Sequence, residues 1–150
     1  MKLATALSQR SELQRKLSEL GTRLNNNAKV QEGESPSEDP QALLAELDSV
    51  LRQLEELMAR INLTNSATTL DGVTVTELLA RRDCAKKRVQ TLRSFLDTAS
   101  SRVDRYSKTE IRVFSTVDVP ALQKQLDDES KRLRRTEEQL QELNWTTELL

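Results

Sequence analysis

Aliphatic residues recur at helical spacing in four stretches of the chain, and the stretch from Asp39 to Thr64 has the widest apolar face. Its main lane alternates steps of four and three residues, and a second lane beside it repeats every seven residues. A single coiled-coil partner needs only one narrow lane, so this helix is expected to contact two or more partners. The main lane comprises Leu43, Leu47, Val50, Leu54, Leu57 and Ile61, and the second lane comprises Leu44, Leu51 and Met58.

Three other stretches show the same alternation. A first helix is predicted over residues 2–26, and Asp39 followed by Pro40 begins the second. Thr74 and Glu77 form a capping box at the start of a third, which is expected to reach residue 103. A fourth begins at Asp118 and continues to about residue 144. Asp71-Gly72 either forms a tight hairpin turn or lies in an irregular connection.

The pattern predicts an all-α protein with residues 1–150 in a single helical domain. In the simplest arrangement four long amphipathic helices form an antiparallel bundle with short irregular or β-like connections. The loops 25–39 and 103–118 then lie at the same end. Alternatively, pairs of helices form coiled-coil-like hairpins that close their cores against other copies of the chain.

Composition agrees with long helices, since 31% of the residues are charged and only 3% are aromatic. The formal net charge of −1 argues against a nucleic-acid partner, which normally requires a basic excess. No apolar run approaches the roughly 18 residues that indicate a membrane span. The N-terminus is too polar for a signal peptide, so we expect a cytoplasmic protein with no membrane partner.

The charges are unevenly distributed along the chain. Residues 31–60 contain eight acidic and two basic side chains, whereas residues 81–112 contain ten basic and four acidic ones. Complementary rims on neighbouring helices would explain this, and an acidic partner for the basic third helix is the alternative.

Cofactor chemistry has little basis in the sequence. With one cysteine, Cys84, and no histidine, the chain lacks an intrachain disulfide, a cysteine metal cluster and the commonest general base. We therefore expect no cofactor, no metal site and no catalytic residue. The sequence argues against an enzyme without excluding one. A site of carboxylate, Tyr and Lys groups could perform acid–base chemistry without histidine.

Three charged residues, Arg10, Arg82 and Glu129, occupy lane positions that the periodicity assigns to the interior. Because a lone buried charge is costly, each Arg should pair with a carboxylate or extend its stem to solvent. Glu129 is the carboxylate that the pattern offers as a partner. Such a pair would fix helix register or oligomeric state.

The end loops carry most of the polar residues that lie outside the helical repeats. If the bundle is correct, these two loops meet and could hold a small anion or a divalent cation, although no defined ligand spacing is present. Otherwise they cap the helix ends. The candidate ligand-binding residues are Asn27, Lys29, Glu32, Arg105, Tyr106, Lys108 and Glu110.

Short strings near the helix ends resemble the septicolysin-like family of small bacterial helical proteins of unknown function. These strings lie at residues 27–34, 38–40, 60–62, 104–108, 116–119, 122–125 and 144–149. The resemblance implies a helical protein without an agreed activity, and the family label suggests a cholesterol-binding haemolysin. Pore formation of that kind does not fit a chain with one Trp and strand-like pieces too short to cross a bilayer.

The leading hypothesis is therefore a self-associating structural or interaction module, a homo-oligomer that could also bind another protein. A protein that binds a small ligand or a metal through loops 25–39 and 103–118 is the alternative. A membrane-active cytolysin, as the family label suggests, is the third hypothesis.

Overall fold

The computed structural model describes residues 1–101 and 112–150, and it confirms the predicted all-α fold with short connections. The described residues form four long helices and one small β-hairpin. The elements are α1 (Leu3–Asn26), α2 (Pro40–Ala67), β1 (Thr69–Leu70), β2 (Val73–Thr74), α3 (Val75–Ser100) and α4 (Val119–Thr146).

Helix α2 begins as the sequence predicts. The Asp39 carboxylate accepts a hydrogen bond from the Gln41 amide at 3.0 Å, and Pro40 occupies the first helical position, where no backbone donor is needed. The helix continues to Ala67, three residues beyond Thr64, because the Thr68 amide still donates to the Thr64 carbonyl at 2.9 Å.

The hairpin prediction is confirmed. Thr69 pairs with Thr74 and Leu70 with Val73 in an antiparallel register. The turn places Asp71 at φ 51° and Gly72 at φ 79°, which is the backbone that Asp-Gly favours in two-residue hairpin loops. The Val75 amide then donates to the Thr68 carbonyl at 2.9 Å, so α3 begins directly after the hairpin.

The chain divides into two compact units, and the first consists of residues Met1–Val75 and Glu142–Leu150. Within it α1 and α2 pack antiparallel, because the first residues of α1 contact the last turns of α2. One buried cluster combines Leu3, Ala6, Leu57, Ile61 and Leu149. A second cluster, farther along α1, combines Leu20 with Leu43 and Val50.

The last residues of the chain are part of the first unit, although they show no periodic pattern. The Leu3 amide donates to the Thr147 carbonyl at 2.9 Å, and the Leu149 amide donates to the Met1 carbonyl at 2.8 Å. The buried Thr64 hydroxyl accepts from the Leu150 amide at 3.0 Å. A short antiparallel bridge thus joins the two ends of the chain and closes the first buried cluster.

The second unit, Thr76–Gln141, contains most of α3 and α4. Val89, Leu96 and Leu126 form its buried cluster. Lys86 pairs with Glu137 at 2.7 Å, so earlier residues of α3 contact later residues of α4 and the two helices are antiparallel. The single domain over residues 1–150, and the meeting of loops 25–39 and 103–118, stay predictions.

Candidate functional site

Helix α2 carries two apolar lanes, as predicted, and only one of them is buried. Leu43, Val50 and Leu57 in the main lane are buried in the first unit. Leu44, Leu51 and Met58 in the second lane are 42%, 41% and 42% exposed. Each of these three residues follows a buried one by a single position, which turns its side chain by about 100° around the helix axis. We name the exposed lane Leu44, Leu51 and Met58 the α2 stripe.

Acidic side chains border the α2 stripe. Asp48 and Glu55 lie four residues after Leu44 and Leu51, which places them on the same face of the helix. Both are exposed, and neither forms an ion pair within the part of the chain that the structure describes. The stripe is therefore an apolar surface with an acidic margin.

Loop 25–39 is closed at its base by Asn27, one of the predicted ligand residues. The buried Asn27 side chain donates to the Arg23 carbonyl at 2.9 Å and accepts from the Glu38 amide at 2.9 Å. The Arg23 guanidinium adds two hydrogen bonds from Nε to the Glu38 carboxylate, at 3.0 and 3.2 Å. Asn27 thus holds the two ends of the loop together, and its amide is already engaged.

Sequence reasoning missed the roles of Arg23 and Glu38. The hydrogen bond from Arg23 lowers the pKa of the Glu38 carboxyl, and the hydrogen bond from Lys16 lowers the pKa of Glu46. The sequence does show opposite charges on Arg23 and Glu38, which flank the loop. These charges indicate an ion pair only when the end of α1 is known to lie beside the start of α2.

We expect the Asn27→Ala variant to lose about 1–3 kcal/mol of unfolding free energy, because the partly buried Glu38 amide loses its acceptor and the Arg23 carbonyl loses a donor. Chemical denaturation measures this loss. Asn26→Ala, at the exposed neighbouring position, is the matched control and should change the stability by less than about 0.5 kcal/mol. Equal stability of both variants would contradict the structural role given to Asn27.

The loop also forms a shallow cavity of about 450 Å³. Lys29 lines this cavity together with Asn27 and Glu34, whereas Glu32 is exposed elsewhere on the loop. The other four candidates, Arg105, Tyr106, Lys108 and Glu110, lie outside the described residues. The Asn27 amide already bonds within the chain. The charged groups that line this cavity are Lys29 and Glu34, and these would contact a ligand.

The three charged lane residues are partly buried, but they do not form the pair that the pattern suggested. Glu129 accepts two hydrogen bonds from Arg88 Nε, at 2.7 and 2.8 Å, and Arg82 Nε donates to its neighbour Asp83 at 2.9 Å. Arg88 lies six residues, or nearly two turns, beyond Arg82 on α3. Arg10 Nε is buried and lacks a hydrogen-bond partner among the described residues.

The described residues offer neither a metal-binding cluster nor a membrane-spanning helix. Residues 1–101 and 112–150 contain no cluster of three or more His, Cys, Asp or Glu side chains suited to hold a metal ion. Over the same ranges, no helix combines the length and apolar character that crossing a bilayer requires.

Comparisons with known proteins give a consistent result. The model of a family described as "Family of unknown function (DUF6847)" matches residues 10–149. A solved structure described as a functionally unknown conserved protein from Corynebacterium diphtheriae is similar over 100% of this chain and 99% of its own, with 41% identity and a TM-score of 0.93. No curated protein matches the chain.

The resemblance to the septicolysin-like family is therefore wrong, since neither the family model nor the similar structure indicates such a family. The strings that carried the resemblance lie mostly at helix ends. Capping and turn formation select the same few residue types there, Asn, Asp, Ser, Thr, Pro and Gly, in unrelated helical proteins. Short likenesses at such positions are weak indicators of family.

Proposed function

Since the chain belongs to the family of unknown function DUF6847, its role has to be inferred from its own surface, and we propose that it is a self-associating interaction module. A second copy of the chain covers the α2 stripe in the assembled protein. The observation that carries the proposal is the exposure of Leu44, Leu51 and Met58 in one continuous lane.

The regular spacing of the stripe distinguishes it from incidental surface leucines. Single exposed apolar residues are normal on soluble proteins, whereas contiguous ones mark interaction sites. Leu44, Leu51 and Met58 follow one another at intervals of seven residues, which is about two helical turns. The three side chains therefore lie on one line along the helix. Such a line fits the side of another helix better than it fits a small ligand.

The charge of the whole chain permits association between copies. A formal net charge of −1 gives two copies almost no mutual repulsion. Mixed charges on the helices, with Asp48 and Glu55 beside the stripe, provide a polar rim around an apolar centre, which is the usual anatomy of an interface.

Sedimentation velocity and light scattering across the micromolar range test the proposal. We expect a weight-average mass that rises with concentration toward at least twice the chain mass of 17.1 kDa. A weight-average mass that stays at 17.1 kDa, the mass of one chain, up to the highest concentration would overturn the proposal.

A further inference from the structure

The α2 stripe is too small to form a stable interface by itself. Its three side chains form a single line along about 21 Å of helix. A standard interface buries about 800 Å² on each partner, which is more surface than one such line provides. A second copy must therefore also contact the margins of the stripe. Those margins include the exposed carboxylates Asp48 and Glu55, which require positive charge opposite them.

Two copies of α2 do not complement each other in charge. Helix α2 contains four acidic and two basic residues, so pairing α2 with α2 would bring Asp48 and Glu55 of both copies close together. Helix α3 has the opposite balance, with six basic and three acidic residues. The complementary surface on a second copy is therefore on α3.

One face of α3 presents unpaired cations together with an apolar side chain. Arg81, Cys84, Lys87, Thr91 and Phe95 follow one another at steps of three or four, and all five are exposed. Arg81 and Lys87 form no ion pair within the described residues, and Phe95 is 44% exposed. We name these five residues the α3 face.

A shallow groove lies beside Phe95 on this helix. Its volume is about 490 Å³, and Thr91, Ser94 and Thr98 line it along with Gln90 and the Phe95 ring. Short hydroxyl side chains let another helix approach closely, and the aromatic ring offers apolar area to an incoming leucine. The groove lies one to two turns beyond Lys87, so on α3 the two cations precede the apolar ring, whereas on α2 the carboxylates alternate with the apolar side chains.

We propose that the α2 stripe of one copy docks on the α3 face of a second copy, with Asp48 and Glu55 opposite Arg81 and Lys87. This inference rests on the proposed self-association and specifies its partner surface. If each copy contributes its stripe to the other, the contact occurs twice in a two-fold dimer. The total area buried in the dimer is then twice that of a single contact. Made in one direction only, the contact gives open chains of copies.

Charge reversal tests the pairing. The double variant Arg81→Glu/Lys87→Glu should dissociate at least about tenfold more readily than the natural chain, since each contact then opposes acid to acid. Asp48→Lys/Glu55→Lys should weaken association similarly. The matched control is Lys124→Glu/Lys131→Glu, which makes the same change of charge on α4 and should leave the dissociation constant within about twofold.

Mixing the two reversed variants provides a rescue. In a mixed pair, lysines on α2 of one copy oppose glutamates on α3 of the other, and the reciprocal contact is that of the natural chain. Sedimentation of the mixture should therefore show mixed pairs at concentrations where either variant alone is monomeric. Failure of the mixture to associate would overturn the proposal.

Cys84 supplies an independent readout, because it is the one cysteine of the chain and lies within the α3 face. Its alkylation by a maleimide should slow several-fold as the protein associates. The stripe variant Leu51→Glu should react at the fast rate at every concentration. Unchanged reactivity of Cys84 in an associated protein would show that α3 stays uncovered.

These measurements separate the inference from the proposed function. If Leu51→Glu dissociates the protein while Arg81→Glu/Lys87→Glu does not, self-association through the stripe stands and the α3 assignment is wrong. If the natural chain is monomeric throughout, both proposals are overturned.

Discussion

The Leu51→Glu variant is expected to fold normally and to lose self-association by at least about tenfold in dissociation constant. Leu51 lies at the centre of the α2 stripe and is 41% exposed in the single chain, so a polar side chain is tolerated there. In the proposed assembly a second copy covers this position, where an unpaired carboxylate would lose its hydration. The loss of apolar burial adds about 1.5–3 kcal/mol. Light scattering measures the association, and circular dichroism verifies the fold.

Ala45→Glu is the matched control for this variant. It adds the same charge to an exposed position of the same helix, about 100° around the axis from Leu44. We expect it to associate like the natural chain. If both variants associate normally, the stripe is not the contact surface, and if both dissociate, net charge rather than the stripe controls assembly.

The Ile61→Ala variant is expected to lose about 2–5 kcal/mol of unfolding free energy, the usual cost of an aliphatic cavity in a packed core. Ile61 is 1% exposed and belongs to a buried cluster whose members come from α1, α2 and the last residues of the chain. Its removal should therefore also loosen the bridge between Met1 and Leu149. Urea denaturation measures the loss, and proteolysis near residue 147 measures the loosening.

Leu63→Ala is the corresponding control, two residues along the same helix. Leu63 is 59% exposed, so its truncation should change the unfolding free energy by no more than about 0.5 kcal/mol. A similar loss for both variants would mean that burial of Ile61 in its cluster does not explain the effect, since alanine is the better helix former at both positions.

The sequence predicted the helices well because their signals are local. Asp39 and Pro40 specify the start of α2 by capping chemistry, and Asp71-Gly72 specifies a turn by its backbone preference. The presence of two apolar lanes on α2 also follows from spacing alone. Which lane a single chain buries depends on the position of α1, and periodicity does not encode that position.

Contacts between residues distant in sequence escaped prediction. Thr146 to Leu150 have no repeat. Backbone hydrogen bonds, which carry no sequence signature, attach them to Met1 and Leu3, and the Leu150 amide donates to the Thr64 hydroxyl. The pairing of Glu129 with Arg88 rather than Arg82 depends on how α3 and α4 are aligned along their length, which lane positions on the separate helices do not define. For the candidate ligand site, the sequence predicted Asn27 as a ligand-binding residue and did not distinguish that role from the hydrogen bonds by which Asn27 closes the loop.

The bridge between Lys2 and Glu148 places the first and last residues of the chain side by side. We therefore expect the first unit to tolerate circular permutation. A few glycines would suffice to join residue 150 to residue 1, and the protein could then be opened at another exposed turn. Gly33 is a suitable opening point, since it lies in the loop that Asn27 and Arg23 already hold closed. A permuted chain of this kind would have both free ends in that loop, at the other end of α1 from the Ile61 cluster, and would leave the residues of the cluster uncut.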